Sequence, residues 1–170
     1  MGTMDSVRWL CVFAIAVMPV QLLAGGFDSD YEEKTWSEIE VQLPAFPESS
    51  NLIQFQVGAV SDTKFMIDGA SLSVGSDEVL RYTVVVESST GARNISYEGM
   101  RCSTAERRFY AFGQSDRTWS KAKGNQWVKI RGTTNNHHVE LFATYFCPNG
   151  PFFVRDAGDM LRALRQGGKR

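Results

Sequence analysis

Apolar and polar residues alternate most cleanly in two stretches near the middle of the chain. In Ile53-Gln54-Phe55-Gln56-Val57 three apolar side chains fall on one face and two glutamines on the other, the period-two signature of a half-buried strand. Further on, Leu80, Tyr82, Val84 and Val86 share one face, with Val79, Arg81, Thr83 and Val85 opposite. Ser88-Ser89-Thr90-Gly91 is a turn signal, and Ala92 to Cys102 returns as the second arm of an antiparallel hairpin. Shorter strands are expected at Phe65 to Ile67 and Ser71 to Val74, separated by a turn at Asp68-Gly69, and again at Arg107 to Phe112 and Gln126 to Ile130.

The period changes towards the C-terminus. Val139, Phe142, Tyr145 and Phe146 recur at helical intervals behind Asn136, a good N-cap, and the helix ends at Cys147 before Pro148-Asn149-Gly150-Pro151. Asp156 caps a final short helix whose stripe is Met160, Leu161 and Leu164, stopped by Gly167-Gly168. The pattern predicts an α+β fold: an antiparallel sheet of about five or six strands covered by one or two C-terminal helices.

Ahead of this domain, Arg8 precedes a run from Trp9 to Ala24 that is apolar except for Pro19 and Gln21 and exits through Gly25-Gly26. This reads as a signal peptide over residues 1–24, since a spanning helix needs about 20 apolar residues and Pro19 disturbs it. Cys11 lies inside the run without small flanking residues, which argues against an acylated lipoprotein. Residues 25–50 form an extended arm, with an acidic stretch from Asp28 to Glu33 and a Pro44 to Pro47 bracket; residues 51–170 form a single domain. The acidic stretch lacks the glycine and distal glutamate of a calcium loop and reads as a solvated tail.

Charge and cysteine sharpen the picture. The net charge of -1 survives loss of the leader, which removes Asp5 and Arg8, so neither nucleic acid nor anionic lipid is expected as a partner. Cys102 and Cys147 remain, and export makes a disulfide the natural expectation. Closing that loop of 45 positions stabilises the fold by about 4 kcal/mol on the chain-entropy model. A catalytic thiol or a metal ligand is the competing reading, without the C-x-x-C spacing such sites often show.

Several stretches resemble a known family: Arg93-Asn94-Ile95-Ser96-Tyr97-Glu98-Gly99-Met100-Arg101-Cys102, Trp36 with Gln42-Leu43-Pro44, Arg81-Tyr82-Thr83, Tyr110-Ala111-Phe112-Gly113 followed by Trp119, and the segment from His138 to Cys147. Together they are similar to the cryptic neisserial protein family, exported proteobacterial proteins with no established biochemical activity. The resemblance implies a periplasmic location in a Gram-negative envelope and supplies no catalytic residue or cofactor.

Candidate chemistry centres on the second arm of the hairpin. Alternation puts Arg93, Tyr97 and Arg101 on one face, a row able to grip a carboxylate, phosphate or sugar through guanidinium forks and an aromatic face, unless the Trp36 arm covers it. Glu98 shares the opposite face with Cys102 and, if buried, needs a partner such as an arginine. Trp119 and Trp127 amid Lys121, Lys123, Lys129 and Arg131 read as a hairpin with packed tryptophans rather than a nucleic-acid platform. His137 and His138 beside Glu140 raise zinc, but neighbouring helix positions diverge and no third ligand is evident, so no metal or cofactor is expected. Nucleophile-elbow, phosphate-loop, dinucleotide and zinc-protease motifs are lacking, and no catalytic residue is assigned. The expected function is a non-enzymatic envelope module binding another envelope protein or a cell-wall or glycan component. The alternatives are a small cell-wall hydrolase using Glu98 and a structural or stress-related stabiliser.

Overall fold

A computed structural model describes residues 36–58, 62–132, 136–150 and 156–168. The expected leader and the acidic stretch before Trp36 lie outside the described residues. Among those described, seven antiparallel strands form one sheet: β1 (Leu52–Phe55), β2 (Lys64–Val74), β3 (Leu80–Glu87), β4 (Arg93–Arg101), β5 (Glu106–Gly113), β6 (Trp119–Lys121) and β7 (Val128–Lys129). Strands β1 to β6 lie side by side in chain order, and β7 pairs with β5.

The expected hairpin of β3 and β4 forms in register from Glu87 against Arg93 to Leu80 against Met100. Two expectations change. Asp68-Gly69 does not end a strand: Lys64 to Val74 run as one strand, and the pairing with β3 slips between Asp68 and Ser73. The slip is stabilised locally, because the Asp68 carboxylate accepts from the Ala70 N–H, the Ser71 hydroxyl donates to the Asp68 carbonyl, and the same Ser71 oxygen accepts from the Thr83 N–H. The expected hairpin around Gly124-Asn125 is likewise absent among the described residues. Instead β6 pairs with Ala111 to Gly113 and β7 with Glu106 and Arg107, two separate stretches of β5.

The helical segments start where their caps lie. Asn136 accepts from the His138 N–H at the head of α1 (His137–Glu140), which continues as a π-helical turn over Leu141–Phe146. Asp156 accepts from the Asp159 N–H at the head of α2 (Ala157–Arg165). Leu141, Tyr145, Phe146, Met160 and Leu164 bury against Phe55, Ile67, Tyr82, Val84 and Met100 of the sheet. Cys102, just past β4, is bonded to Cys147, just past the π-helical turn, with Cα atoms 5.6 Å apart.

The other sheet face is covered by the arm. Trp119 donates to the Pro44 carbonyl, Trp36 donates to the Asp77 carbonyl, and the Ile39 N–H donates to the Asp77 carboxylate. Beneath the arm lies a charged lock: Arg81 bonds Asp77 twice, at 2.6 and 3.0 Å, while Glu38 of the arm accepts from Arg81, Arg108 and Tyr110. The centre of the sheet is thus buried on both sides, which is why the β3 positions Leu80 to Val85 are buried without alternation. Among the described residues no helix is long and apolar enough to cross a membrane.

Candidate functional site

Strand β4 points two kinds of side chain in opposite directions. Glu98, Met100 and Cys102 face the helices, and Tyr97 faces the arm, where it packs with Tyr110, Ala111, Val41 and Trp119. The neighbouring β5 carries an irregularity that shapes the site. Tyr97 pairs with Ala111 while Glu98 pairs with Phe109, so β5 spends one extra residue, Tyr110, on that step. In an unbroken strand, positions three apart face opposite ways. Here the extra residue brings Phe109 and Phe112 to one face, opposite Glu98 and Ser96, with ring centroids 5.2 Å apart.

Against this face stands the first turn of α1. His138 Nε2 lies 2.7 Å from Glu98 Oε2, and both side chains are buried, with 7% and 1% exposure. The remaining capacity of the carboxylate is met by the Ser96 hydroxyl, 2.6 Å from Oε1, and the Tyr82 hydroxyl, 3.3 Å from Oε2. The expected buried partner of Glu98 is therefore a histidine rather than an arginine. A β4 residue and a helix residue meet because the Cys102–Cys147 bond and the core beneath it lay the segment from His137 onward over this face.

His137 adds a second imidazole. Its ring stacks on Phe65 at 5.4 Å and lies 3.9 Å from the ring of His138. The two adjacent histidines do not diverge as expected, since their rings lie together, while the Glu140 carboxylate accepts from Thr144. The third ligating group that the sequence did not show is Glu98: one ligating atom from each of Glu98, His137 and His138 lies within 4.8 Å of the others.

Electrostatics follow from this packing. Burial pushes the Glu98 carboxyl up, but the hydrogen bond and charge of His138, reinforced by Ser96 and His137, more than offset it and hold the group below the usual glutamate range. Burial, followed by the charge of Glu98, pushes the Tyr82 hydroxyl well up. His137 is driven down to about 4 by burial and then by the charge of His138, with Arg107 adding to the effect against the opposing pull of Glu98. His137 is thus a neutral imidazole with a ring nitrogen able to accept or ligate.

Ser96, Glu98, His137 and His138 line a cavity of about 530 Å³ whose apolar walls are Val86, Ile95, Phe109 and Phe112. Arg93, Asn94 and Phe112 are exposed at its outer part, and Arg93 is bonded through Nε to Glu87 at 2.6 Å. The three residues expected to form one binding row are separated by the fold. Arg93 lines the cavity, Tyr97 is only 4% exposed, and Arg101 lies under the arm with its guanidinium 3.7 Å from the Trp36 ring centroid and paired with Glu106. The residues sequence reasoning left unassigned are Phe109 and Phe112, whose shared face depends on the extra residue in β5, and His137 and His138 as partners of Glu98. A pairing of Cys102 with Cys147 is the one sequence signal that brings the histidines over β4.

Trp119 and Trp127 are half-buried, as expected of packed tryptophans: Trp119 is tilted against Phe46, and Trp127 meets Trp36 edge-on at 6.0 Å. No match is found among curated proteins or solved structures. A family profile described as the CNP1-like family matches residues 31–165, nearly the whole folded part and the full site. With that coverage, and with β4 carrying both Glu98 and Arg93 inside the match, the chain belongs to the CNP1-like family.

Proposed function

We propose that the protein is an exported envelope protein that binds a small acidic, sugar-bearing fragment of the cell wall in the cavity between β4, β5 and α1. The observation that carries this reading is the combination of functions on one lining: the Phe109–Phe112 pair offers aromatic faces to a sugar ring, Arg93 a planar fork for a carboxylate, and Asn94 and Ser96 polar contacts. The cavity is of the size that takes a small ligand. Export is supported by the leader-like N-terminal stretch and by the disulfide, which persists in oxidising compartments.

Binding is favoured over two-carboxylate glycoside hydrolysis by one detail. Glu98 is the single carboxylate on the cavity lining among the described residues, whereas such hydrolysis uses a pair flanking the scissile bond.

Titration of the chelator-treated protein with soluble muropeptides, followed by calorimetry or amide chemical shifts, tests the reading. Saturable binding that Arg93→Ala and Phe112→Ala each weaken by about tenfold is the expected result, a cost of 1–2 kcal/mol per lost contact. Arg101→Ala, placed under the arm, is expected to leave the affinity unchanged. Absence of saturable binding, or equal loss in all three variants, would sink it.

A further inference from the structure

We propose that Glu98, His137 and His138 together bind one zinc-like divalent cation. The three offer one carboxylate oxygen and two imidazole nitrogens, with ligating atoms already within 4.8 Å of one another. Two histidines and one carboxylate suit zinc and the other late first-row divalent ions, and suit poorly the oxygen-seeking magnesium and calcium. The inference shares its cavity with the binding reading and deepens it, but rests on these three side chains alone.

The positions are built rather than incidental. Glu98 is fixed in the middle of the sheet, and its carboxylate is oriented by the Ser96 and Tyr82 hydroxyls, the kind of outer partner that steadies a metal-bound carboxylate. His138 is oriented by the Asn136 cap of its own turn and by Phe109, whose ring it meets edge-on. His137 is held flat against Phe65. The close His138–Glu98 contact marks where the ion would sit, and on binding a proton held on Nε2 moves to the ring's own Nδ1 if the imidazole is neutral, or leaves to solvent if the ring is charged, as the metal–nitrogen bond forms. Arg107 opposes a cation by its charge, so affinity has to come from the three bonds rather than from the field of the site.

Three protein ligands leave coordination open, and all three residues line the cavity, so the open positions face the space where a ligand enters. A carboxylate or hydroxyl of a bound molecule would complete the shell.

The full chain, without a histidine tag and stripped by a chelator, is titrated with Zn²⁺ by calorimetry and with Co²⁺ by visible absorption. One equivalent of each is expected to bind, Co²⁺ giving the bands of low-coordinate nitrogen and oxygen ligation, while Mg²⁺ and Ca²⁺ fail to compete. His137→Ala is the cleanest variant, because His137 takes no part in the Glu98–His138 bond. It and His138→Ala should each weaken Zn²⁺ by at least about a hundredfold, and Ser96→Ala by about tenfold. Circular dichroism verifies folding. No saturable Zn²⁺ binding by the parent chain, or undiminished binding by folded His137→Ala, overturns the site. Because muropeptide binding is read on chelator-treated protein, its failure and the failure of the metal site are separate results.

Discussion

Arg101 lies beneath Trp36, its guanidinium 3.7 Å from the indole centroid, and Trp36 in turn donates its ring N–H to the carbonyl of Asp77. The arm is therefore fastened to the sheet at Trp36 by a cation–π contact and a hydrogen bond, together worth about 1–3 kcal/mol. Trp36→Ala is expected to lose that much and to expose the arm. Limited proteolysis should then cut near Ile39 while β3 and β4 stay protected; an arm equally resistant in the variant would show that Trp36 is not what holds it.

Acid stability should depend on Asp77. Burial raises its pKa, but the hydrogen bond from Arg81, the Ile39 N–H, the charge of Arg81 and the Val79 N–H outweigh burial and leave it below the ordinary value of 3.8. A carboxylate depressed on folding contributes stability that is full above its unfolded pKa and is lost as pH falls through the folded value. Urea midpoints followed from about pH 7 down to pH 2 should therefore drop more steeply below 3.8 in the parent chain than in Asp77→Asn. At neutral pH the variant should already be weaker by about 3 kcal/mol, because buried Arg81 loses its main partner. Parallel acid limbs for the two proteins would contradict the assignment.

Gly99 has no space for a side chain. A Cβ there would stand 2.9 Å from ring atoms of Tyr110, the residue whose hydroxyl donates to Glu38 of the arm. Gly99→Ala is expected to cost about 1–3 kcal/mol by overpacking and to loosen the arm without disturbing the opposite face, where Glu98 meets His138. Hydrogen exchange should rise in the arm and stay unchanged at α1. Faster exchange at α1 alone would reverse that picture.

Replacing both Cys102 and Cys147 by alanine is expected to remove about 4 kcal/mol, from the 45-position loop the bond closes. Thermal melts of parent and variant supply the comparison. In cells, the parent should resist alkylation before reduction if the proposed export holds; ready alkylation of both thiols would count against it.

The strands and helices were legible where local pattern decides them. The β3–β4 hairpin and the Asn136 and Asp156 caps follow from short-range signals in the sequence, and the Cys102–Cys147 bond from there being two cysteines left beyond the expected leader. What was not legible depends on pairing between strands. Asp68-Gly69 looks like a turn in isolation, whereas pairing with β3, including the Thr83 N–H that donates to the Ser71 hydroxyl, carries β2 through it. The same holds at the site. Phe109 and Phe112 share a face only because β5 carries one more residue than β4 at Tyr110, a mismatch no single segment reveals. Glu98 is recognisable as an inward carboxylate in need of a partner, yet the partner comes from 40 positions away, from a histidine whose nearer acidic residue in sequence is Glu140.

The helical segment after Asn136 touches the end of β4 twice: non-covalently through His138 to Glu98 and covalently through Cys147 to Cys102. A span anchored at both ends sags when either anchor is released. Reduction of the Cys102–Cys147 bond is therefore expected to loosen the His137–His138 turn from its far end, seen as faster amide exchange in α1 of the reduced protein.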